Sequence, residues 1–443
     1  MEQQILFRDF QLINEQTVFR GDLLVRGERI ERIASSITPQ GNCTVVEGNG
    51  RWLLPGVIDS QVHFREPGLT HKATIASESR AAIAGGVTSF MEMPNTSPPT
   101  TTRALLDWKF EQARLTSWAN YSFFLGATSD NTEEIKRLDK HNVCGVKIFM
   151  GSSTGNLLVD SPKTLEIIFQ ECPTLIATHC EDEQTIRQAI ADLKSRFPEA
   201  QTSIHPTVRS AEACFKSSEL AVSLAKKHNS RLHILHISTE KEIQLFDNQL
   251  AIDKKKITAE VCVHHLWFDS LDYERLGNLI KWNPAIKTSR DKEYLWKGLI
   301  NNYLDIIATD HAPHTLAEKK KSYWDAPSGG PLIQHSLSMM LTQAKQGKIS
   351  PERVVEKMCH NPAICFRVSE RGFLREGYFA DLTIVNPSRP QTVSPETTLY
   401  ACNWSPLTGE TLAVTIEETY VNGSCAWRLG EFLQRKPQRL YFY

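Results

Sequence analysis

The middle of the chain alternates short apolar runs with longer stretches of helical periodicity. In the helix-like stretch 209–228, for example, Phe215, Val222 and Ala225 share helical spacing. Eight strand-like runs alternating with helices over roughly 310 residues predict an α/β fold with a (β/α)8 barrel of the TIM type. An open doubly wound sheet is the alternative, but no glycine-rich phosphate turn follows the first run. The eight runs are residues 56–59, 87–91, 121–125, 143–149, 175–179, 232–236, 257–261 and 305–310.

The two ends of the chain show a different, β-rich pattern. Short β-prone runs broken by polar turns occur near both termini, and the segment 421–423 (Val-Asn-Gly) carries a turn signal. Two β-rich ends around an alternating middle predict a small composite β-sandwich domain from residues 1–54 and 370–443. The barrel would then comprise residues 55–369. The β-prone runs are residues 5–7, 10–13, 21–25, 380–385 and 413–416.

The composition and charge limit the kinds of molecule that the protein is expected to bind. The 443 residues carry a formal net charge of -1, so no overall field attracts nucleic acid or an anionic membrane. The N-terminus lacks the features of a signal peptide, and no apolar run approaches the roughly 20 residues that span a bilayer. The ten cysteines include no CxxC pair, which favours free thiols in a reducing compartment. We therefore expect a cytoplasmic protein that acts on a small-molecule substrate, without a nucleic-acid or membrane partner.

Polar residues cluster at the ends of the predicted strands where barrel enzymes carry their sites. Charged side chains are costly in an apolar core, so their convergence on one rim favours a site over separate structural roles. The residues are His63 and Arg65 after the first run, Asn95 after the second, Lys147 in the fourth, His179 and His236 at the ends of the fifth and sixth, and Asp310 and His314 at the eighth.

The other histidines that we interpret lie outside this set. His233, three positions before His236, is expected to point to another face and to be structural. His264 and His265 are adjacent on a predicted strand, so at most one of them can face the barrel mouth. The histidines interpreted as loop or surface residues are His71, His141, His205, His228 and His360.

Such a set suits metal-assisted hydrolysis. Two divalent cations about 3.5–4 Å apart are held by imidazole nitrogens, carboxylate oxygens and a bridging anion. Zinc lowers the pKa of a coordinated water towards about 7, which provides a nucleophile at neutral pH. Asp310 is suited to orient that water and to accept its proton. We expect zinc as the cofactor, as one or two ions.

Lys147 leaves two interpretations open. An ammonium group repels cations, but its pKa falls near positive charge and away from water, and a neutral amine can react with CO₂ to form a carbamate. A carbamate is a bridging carboxylate. The alternative is a structural barrel lysine paired with Asp or Glu.

The motifs together resemble the dihydroorotases of the amidohydrolase superfamily. The resemblance spans roughly residues 50–385 and implies reversible interconversion of N-carbamoyl-L-aspartate and L-dihydroorotate in pyrimidine synthesis, on a barrel with a composite β domain. The family also leads us to expect a homodimer. The matching segments are 59–68 (Asp-x-x-x-His-x-Arg-Glu-Pro-Gly), 93–96 (Met-Pro-Asn-Thr), 179–182 (His-Cys-Glu-Asp), 236–239 (His-Ile-Ser-Thr), 283–284 (Asn-Pro) and 310–314 (Asp-His-Ala-Pro-His).

The resemblance implies a role for each matching residue. Asp310 would be both a metal ligand and the catalytic base, and the segment 328–331 would offer backbone groups to the substrate. The implied metal ligands are His63 for the more buried metal, Lys147 as a carboxylated bridge, His179 and His236 for the second metal, and Asp310. The implied substrate-binding residues are His63, Arg65, Asn95, Asn283 and His314.

One position departs from the family pattern. The family has His-x-His after the first strand, whereas this chain has Gln61-Val62-His63. An amide oxygen is a poorer zinc ligand than imidazole, so the first metal is expected to be held weakly, to be a harder ion or to be absent. A single metal held by Lys147, His179 and His236 could still activate water. Some members use an Asp a few residues after the lysine, and Ser152 and Ser153 offer no carboxylate, which strengthens the carbamate interpretation.

Two rival functions follow from these features. A related cyclic amidohydrolase, such as a hydantoinase, dihydropyrimidinase or allantoinase, would share the metal ligands, but its substrates lack the ring carboxylate that Arg65 suits. A non-catalytic homologue is the other rival, and Gln61 is its only support.

Overall fold

A computed structural model describes residues 3–39, 41–151 and 155–443 of the chain. Ser152 and Ser153 lie outside the described residues. The strands are β1 (Gln4–Asn14), β2 (Thr17–Arg26), β3 (Arg29–Ala34), β4 (Cys43–Glu47), β5 (Trp52–Pro55), β6 (Val57–Val62), β7 (Val87–Glu92), β8 (Asn120–Phe123), β9 (Leu125–Gly126), β10 (Val146–Phe149), β11 (Ile176–His179), β12 (Leu232–Ile234), β13 (Ile257–Cys262), β14 (Ile306–Ala308), β15 (Leu382–Asn386), β16 (Gln391–Thr392), β17 (Thr411–Leu412), β18 (Thr415–Val421), β19 (Ser424–Arg428) and β20 (Glu431–Phe432).

The helices fill the intervals between these strands. A π-helical turn, Glu356–His360, joins the last two of them. The α-helices are α1 (Ile75–Ala84), α2 (Arg103–Thr116), α3 (Thr132–Lys136), α4 (Pro162–Glu171), α5 (Glu183–Arg196), α6 (His205–Val208), α7 (Ala211–His228), α8 (Glu240–Ile243), α9 (Val263–Trp267), α10 (Tyr273–Leu276), α11 (Ser289–Ile300), α12 (Leu316–Lys319), α13 (Ser336–Lys345), α14 (Pro351–Val355) and α15 (Asn361–Phe366). Across the described ranges, no helix is both long and apolar enough to cross a bilayer.

Strands β6 to β14 form the barrel. Parallel pairing runs β6-β7-β8 and then β9-β10-β11-β12-β13-β14. Strands β8 and β9 follow one another with a break at Phe124, so together they occupy one barrel position. The ring closes where Val62 forms a parallel bridge with His311, and the backbone N–H of His63 donates to the carbonyl of His311 at 2.7 Å. Each of the eight predicted runs overlaps a strand of this barrel, and the predicted fold class is confirmed.

The second large sheet draws strands from both ends of the chain. Its order is β20-β19-β18-β15-β5-β1-β2-β3, and β4 pairs with β1. N-terminal β5 pairs antiparallel with C-terminal β15, so neither end of the chain forms this sheet alone. The runs predicted at 5–7 and 10–13 are one strand, β1, whose register shifts between Phe7 and Phe10. The residue boundaries of the two domains stay a prediction.

Helix ends follow their local sequence signals. The side chain of Ser210 accepts a hydrogen bond from the backbone N–H of Ala213 and caps the start of α7. Asn229, in the left-handed conformation with φ 57°, ends the same helix. The observed helix therefore begins two residues later than the predicted stretch, at the residue after the cap.

A buried carboxylate joins the composite sheet to the barrel. Asp381, directly before β15, pairs with the buried Arg371. It also accepts hydrogen bonds from the Asn120 side chain of β8 at 3.1 Å and from the backbone N–H of Asn422 at 2.9 Å. A buried charge is tolerated only while its partners remain, so this network is sensitive to loss of the guanidinium.

We expect Arg371→Met to lower the free energy of unfolding by about 3–5 kcal/mol, because it leaves the Asp381 carboxylate buried without its counter-charge. Urea unfolding followed by circular dichroism measures the change. The control is Arg375→Met, whose partner is the exposed Glu15 and whose cost should be about 1 kcal/mol or less. Equal costs for the two variants would contradict a structural role for the buried pair.

Candidate active site

A cavity of about 90 Å³ opens at the end of the barrel where the strands finish. Of the predicted site residues, only His314 does not line it directly, and His314 contacts Arg65. The lining residues are Gln61, His63, Arg65, Asn95, Lys147, Phe149, His179, His236, Trp282, Asn283, Asp310, Ala312, Ser328 and Gly329.

Three of these residues have an uncommon backbone conformation. Arg65, His236 and Asp310 have φ values of 70°, 41° and 47°. Residues other than glycine enter this left-handed region rarely, and such strain persists only where the surrounding structure holds it in place. All three side chains are buried. His236 and Asp310 each come two residues after a barrel strand, so the strained turns lie at the rim and direct these side chains into the cavity.

His179 and His236 present facing nitrogen atoms. Nε2–H of His179 donates to Oε2 of Glu181 at 2.8 Å, which leaves Nδ1 as a lone-pair nitrogen 2.9 Å from Nε2 of His236. Burial lowers the pKa of both histidines and so favours neutral rings. Zn–N bonds of about 2.0–2.1 Å in a tetrahedral site place two ligand nitrogens roughly 3.3 Å apart. A shift of a few tenths of an ångström would therefore let this pair share a cation.

Glu181, together with Arg209, fixes the orientation of His179. Arg209 donates to Oε2 of Glu181 at 2.6 Å, and both groups are largely or fully buried. Although burial alone would raise it, the pKa of Glu181 is held well below its ordinary value by the charge of Arg209 and the hydrogen bond from His179. A carboxylate that fixes the outer N–H of a ligand histidine is a common second partner in metal sites.

A second pair of donor atoms is formed by His63 and Asp310. Nδ1–H of His63 donates to Oδ1 of Asn95 at 2.6 Å, so its Nε2 carries a lone pair 3.0 Å from Oδ1 of Asp310. Two acceptor atoms at this distance repel each other unless a proton or a cation lies between them. The side-chain N–H of Gln61 donates to the same Oδ1 at 3.2 Å. Gln61 thus contacts the Asp310 carboxylate through its amide nitrogen.

Lys147 lies near both pairs. Its charge contributes to lowering the pKa values of His63, His179 and His236 alike. The side chain is 1% exposed, and burial lowers its own pKa to about 7. Its amine makes no hydrogen bond or ion pair with any residue that the structure describes. The alternative interpretation, a lysine paired with Asp or Glu, is therefore not observed within the described ranges.

The donor set fits a divalent cation. Neutral imidazoles, a carboxylate and a buried amine that can be neutral near pH 7 are the groups that the sequence assigned to metal binding. They are arranged as two pairs, His179 with His236 and His63 with Asp310, around Lys147.

The cavity wall also contains a buried guanidinium, that of Arg65. Arg65 donates from Nε to the carbonyl of Pro313 at 3.0 Å, and no carboxylate of the described residues lies within ion-pair distance of its guanidinium. Burial lowers its pKa to about 10, so it stays charged at neutral pH. Nδ1 of His314 accepts a hydrogen bond from Lys72 at 3.2 Å, and its Nε2 lies 3.0 Å from the carbonyl of Ser328.

The loop at Ser328 is held by two buried lysines. Nζ of Lys319 donates to the carbonyl of Gly329 at 2.7 Å, and Nζ of Lys281 donates to the carbonyl of Ala326 at 2.5 Å. A Cβ atom at Gly330 would lie 2.6 Å from the ring of Trp282, so only glycine allows this approach. The loop and the indole therefore form one wall of the cavity.

Some residues were missed or misplaced by the sequence analysis. Glu181 appeared only as a letter of the His-Cys-Glu-Asp motif, although an acid two positions after a ligand histidine is a usable signal for a supporting carboxylate. His205 and His360, interpreted as loop or surface residues, are buried. His264 and His265 belong to helix α9 and not to a strand, because β13 ends at Cys262.

The sequence is similar to a known family and to proteins of known function. The sequence matches the amidohydrolase family over residues 52–425. It is 32% identical to the dihydroorotase of Halobacterium salinarum over 409 residues, which cover 92% of this chain and 93% of that protein. It is 30% identical to the dihydroorotase of Methanosphaera stadtmanae, covering 87% and 88% of the two chains.

Solved structures show the same fold. The L-hydantoinase (dihydropyrimidinase) from Arthrobacter aurescens superposes with a TM-score of 0.94 at 26% identity, covering 100% of both chains. The dihydropyrimidinase from Brevibacillus agri superposes with a TM-score of 0.89 at 21% identity, covering 98% of both, which bears on the fold alone.

We expect Glu181→Gln to weaken zinc binding about 10- to 100-fold, because the outer N–H of His179 loses its charged acceptor. Competition with a chromophoric chelator measures the zinc affinity. Glu212→Gln, which removes an exposed carboxylate paired with Lys241, is the matched control and should bind zinc like the unchanged protein. Unaltered zinc affinity in Glu181→Gln would mean that the charge of Glu181 does not support metal binding through His179.

Proposed function

This chain belongs to the amidohydrolase family and is a hydrolytic enzyme, and we propose that it acts as a dihydroorotase. The reaction adds water across the ring amide of L-dihydroorotate to give N-carbamoyl-L-aspartate, and the reverse reaction closes the ring and releases water. The names of the relatives support this activity. The observation that carries the proposal is the buried Arg65 in the cavity wall.

The guanidinium of Arg65 is a suitable partner for a carboxylate on the substrate ring. Nε of Arg65 donates to the Pro313 carbonyl, Nη2 lies 3.0 Å from Nε2 of His314, and the described residues provide the guanidinium with no counter-charge within ion-pair distance. A buried guanidinium in that state gains most from a bidentate contact with a substrate carboxylate. Lys72, which is paired with Glu318 at 3.1 Å, and His314 border the same region and add hydrogen-bonding groups. Dihydroorotate carries such a carboxylate on its ring, and neutral cyclic amides do not.

Around the scissile amide, one residue transfers the protons and two others orient the side chains that act there. The Asp310 carboxylate takes the proton from the attacking water and passes it to the departing amide nitrogen. Asn95 orients His63, and Gln61 orients Asp310 through its amide N–H. When bound by His63, Lys147, His179, His236 and Asp310, a divalent cation such as zinc supplies Lewis-acid polarisation and a lowered water pKa.

Lys147 acts in this proposal as a carboxylated lysine. Its neutral amine attacks the carbon of CO₂, the N–C bond forms, and one proton leaves to solvent. The product is a carbamate with two oxygen donors beside the histidine pair. Burial and the absence of a described ion-pair partner both favour the neutral amine that this addition requires. The proposed cytoplasmic location is supported by the ten cysteines, all of which are free thiols.

A second candidate is a hydantoinase-type amidohydrolase. The TM-score of 0.94 to the Arthrobacter enzyme favours it, because that fold carries an activity on a ring without the orotate carboxylate. The two candidates differ in what they require of Arg65. A hydantoinase would gain nothing from a buried guanidinium beside its ring.

We expect Arg65→Met to lower kcat/KM for dihydroorotate about 10- to 150-fold, which corresponds to the roughly 1.5–3 kcal/mol of a hydrogen bond to a charged group. Turnover of 5,6-dihydrouracil, the same ring without the carboxylate, should change little. Steady-state kinetics with zinc and bicarbonate present, with products separated by chromatography, measure both. The control is Arg290→Met, which removes an exposed arginine paired with Glu240. Turnover of dihydrouracil or hydantoin by the unchanged protein without any turnover of dihydroorotate would overturn the proposal.

We expect Asp310→Asn to reduce kcat about 10²- to 10⁴-fold, because the amide cannot accept the proton of water. Dihydroorotate should still bind through Arg65. Isothermal titration calorimetry measures that affinity, and single-turnover kinetics measure the chemical step. A kcat within a factor of three of the unchanged protein would exclude Asp310 as the base.

A further inference from the structure

A second group of potential metal ligands lies beside the candidate active site. Cys262 is the last residue of β13, and His264 and His265 lie in the first turn of α9. One ligand atom from each, Sγ or a ring nitrogen, lies within 4.8 Å of the other two, and all three side chains are buried. None of the three was assigned a role by the sequence motifs or by the proposed reaction.

The nitrogens of this group lack partners in a way that suits metal binding. His265 donates from Nε2–H to the carbonyl of Pro284 at 3.2 Å, which leaves Nδ1 as a lone-pair nitrogen without a hydrogen-bond partner among the described residues. Neither ring nitrogen of His264 forms a well-aligned hydrogen bond in the same set; burial and His265 lower its pKa, and the nearby Thr309 backbone opposes that lowering. Buried polar atoms of this kind commonly mark a water or an ion.

The ring of His264 is fixed in orientation. It stacks on the indole of Trp282 with 4.4 Å between ring centroids and 14° between planes. Stacking leaves the ring edge, and therefore its nitrogens, free to bind. The orientation of His265 is fixed by its bond to Pro284. Pre-oriented imidazoles lower the entropic cost of closing a metal site.

The surrounding charges favour a cation. Burial is the largest cause that raises the pKa of the Cys262 thiol, and the charges of Glu260, Asp310 and Asp59 raise it further against the charge of Lys147. The carboxylates of Glu260 and Asp310 stabilise a divalent cation, and a bound cation in turn stabilises the thiolate.

Gln61 connects this group to the candidate active site. Sγ of Cys262 lies 3.7 Å from the side-chain oxygen of Gln61, and the side-chain nitrogen of Gln61 donates to Asp310. The amide oxygen is thus placed as a fourth donor, at the one position where this chain departs from the family motif.

We infer that Cys262, His264 and His265 bind a zinc-like divalent cation, with Gln61 as a neutral fourth ligand. On binding, the thiol S–H bond breaks, its proton leaves to solvent, and the thiolate and two imidazole lone pairs coordinate the ion without any redox change. A thiolate with two imidazoles suits zinc and cobalt(II) better than magnesium or calcium. This inference concerns metal binding alone and holds whether or not the enzyme turns over dihydroorotate.

Cobalt(II) titration of the metal-free, full-length protein tests the site through a thiolate-to-cobalt charge-transfer band in the near ultraviolet. We expect the band to saturate at about one thiolate-bound cobalt per chain, with any cobalt bound at the histidine pairs adding no such band, and expect Cys262→Ser to abolish it. Cys180→Ser is the decisive control, because Cys180 directly follows the ligand histidine His179 and is also buried; this variant should keep the band. His265→Gln should weaken cobalt binding at this site at least about tenfold.

Zinc-edge X-ray absorption on the Cys180→Ser protein keeps the test decisive if Cys262→Ser fails to fold. It should show about one sulfur atom at about 2.3 Å per chain in addition to nitrogen and oxygen scatterers. No sulfur scatterer, no cobalt band, or a band that disappears with Cys180 and persists without Cys262 would overturn the inference. Activity does not enter either measurement, so its result is separable from that of the dihydroorotase assay.

Discussion

The chemistry of the barrel mouth depends on which acceptor receives the single N–H of each buried imidazole. In His179, His63 and His265 that N–H donates outward, to Glu181, Asn95 and the Pro284 carbonyl respectively. The other nitrogen of each ring is left as a lone pair. Burial keeps all three rings neutral by lowering their pKa values. A neutral imidazole held by an outer acceptor presents its other nitrogen as a lone pair in a fixed tautomer, which is the form that binds metal ions.

This constraint explains why the supporting residues matter as much as the ligands. If Glu181 did not hold the N–H of His179, that ring could exchange tautomers and pair with His236 by an ordinary hydrogen bond. Positive φ values at His236 and Asp310 bring their side chains into the same small volume and add a backbone cost there. The strands beneath them, buried on both faces, provide the rigid support that sustains this cost.

The sequence predicted the parts of the structure that follow from periodicity. Eight apolar runs became barrel strands because a strand buried on both faces must be apolar almost throughout, and the site residues were found by looking just beyond each run. His236 and Asp310 were found in this way without knowledge of their strained backbone. Periodicity could not show that β13 ends at Cys262, and so His264 and His265 were placed on a strand when they begin a helix.

Contacts between residues that are distant in the sequence were harder to predict, because periodicity describes only local structure. The bond from Arg209 to Glu181 spans 28 residues, and the stacking of His264 on Trp282 depends on how α9 packs against the following loop. His205 illustrates the same limit. It was interpreted as a loop or surface histidine, yet it is buried and its ring nitrogens lie within hydrogen-bond distance of the Tyr323 hydroxyl and the carbonyl of Trp282.

Gln61 changes the balance between the two pairs of donor atoms. Its N–H already donates to Oδ1 of Asp310, which partly neutralises the carboxylate that a cation at His63 would need. A histidine at this position would instead add a lone pair. The pair formed by His179 and His236, with Lys147 nearby, has no such competitor among the described residues and is better suited to a cation. In the proposed reaction the hydrogen bond from Gln61 orients the Asp310 carboxylate and leaves it lone pairs with which to accept a proton.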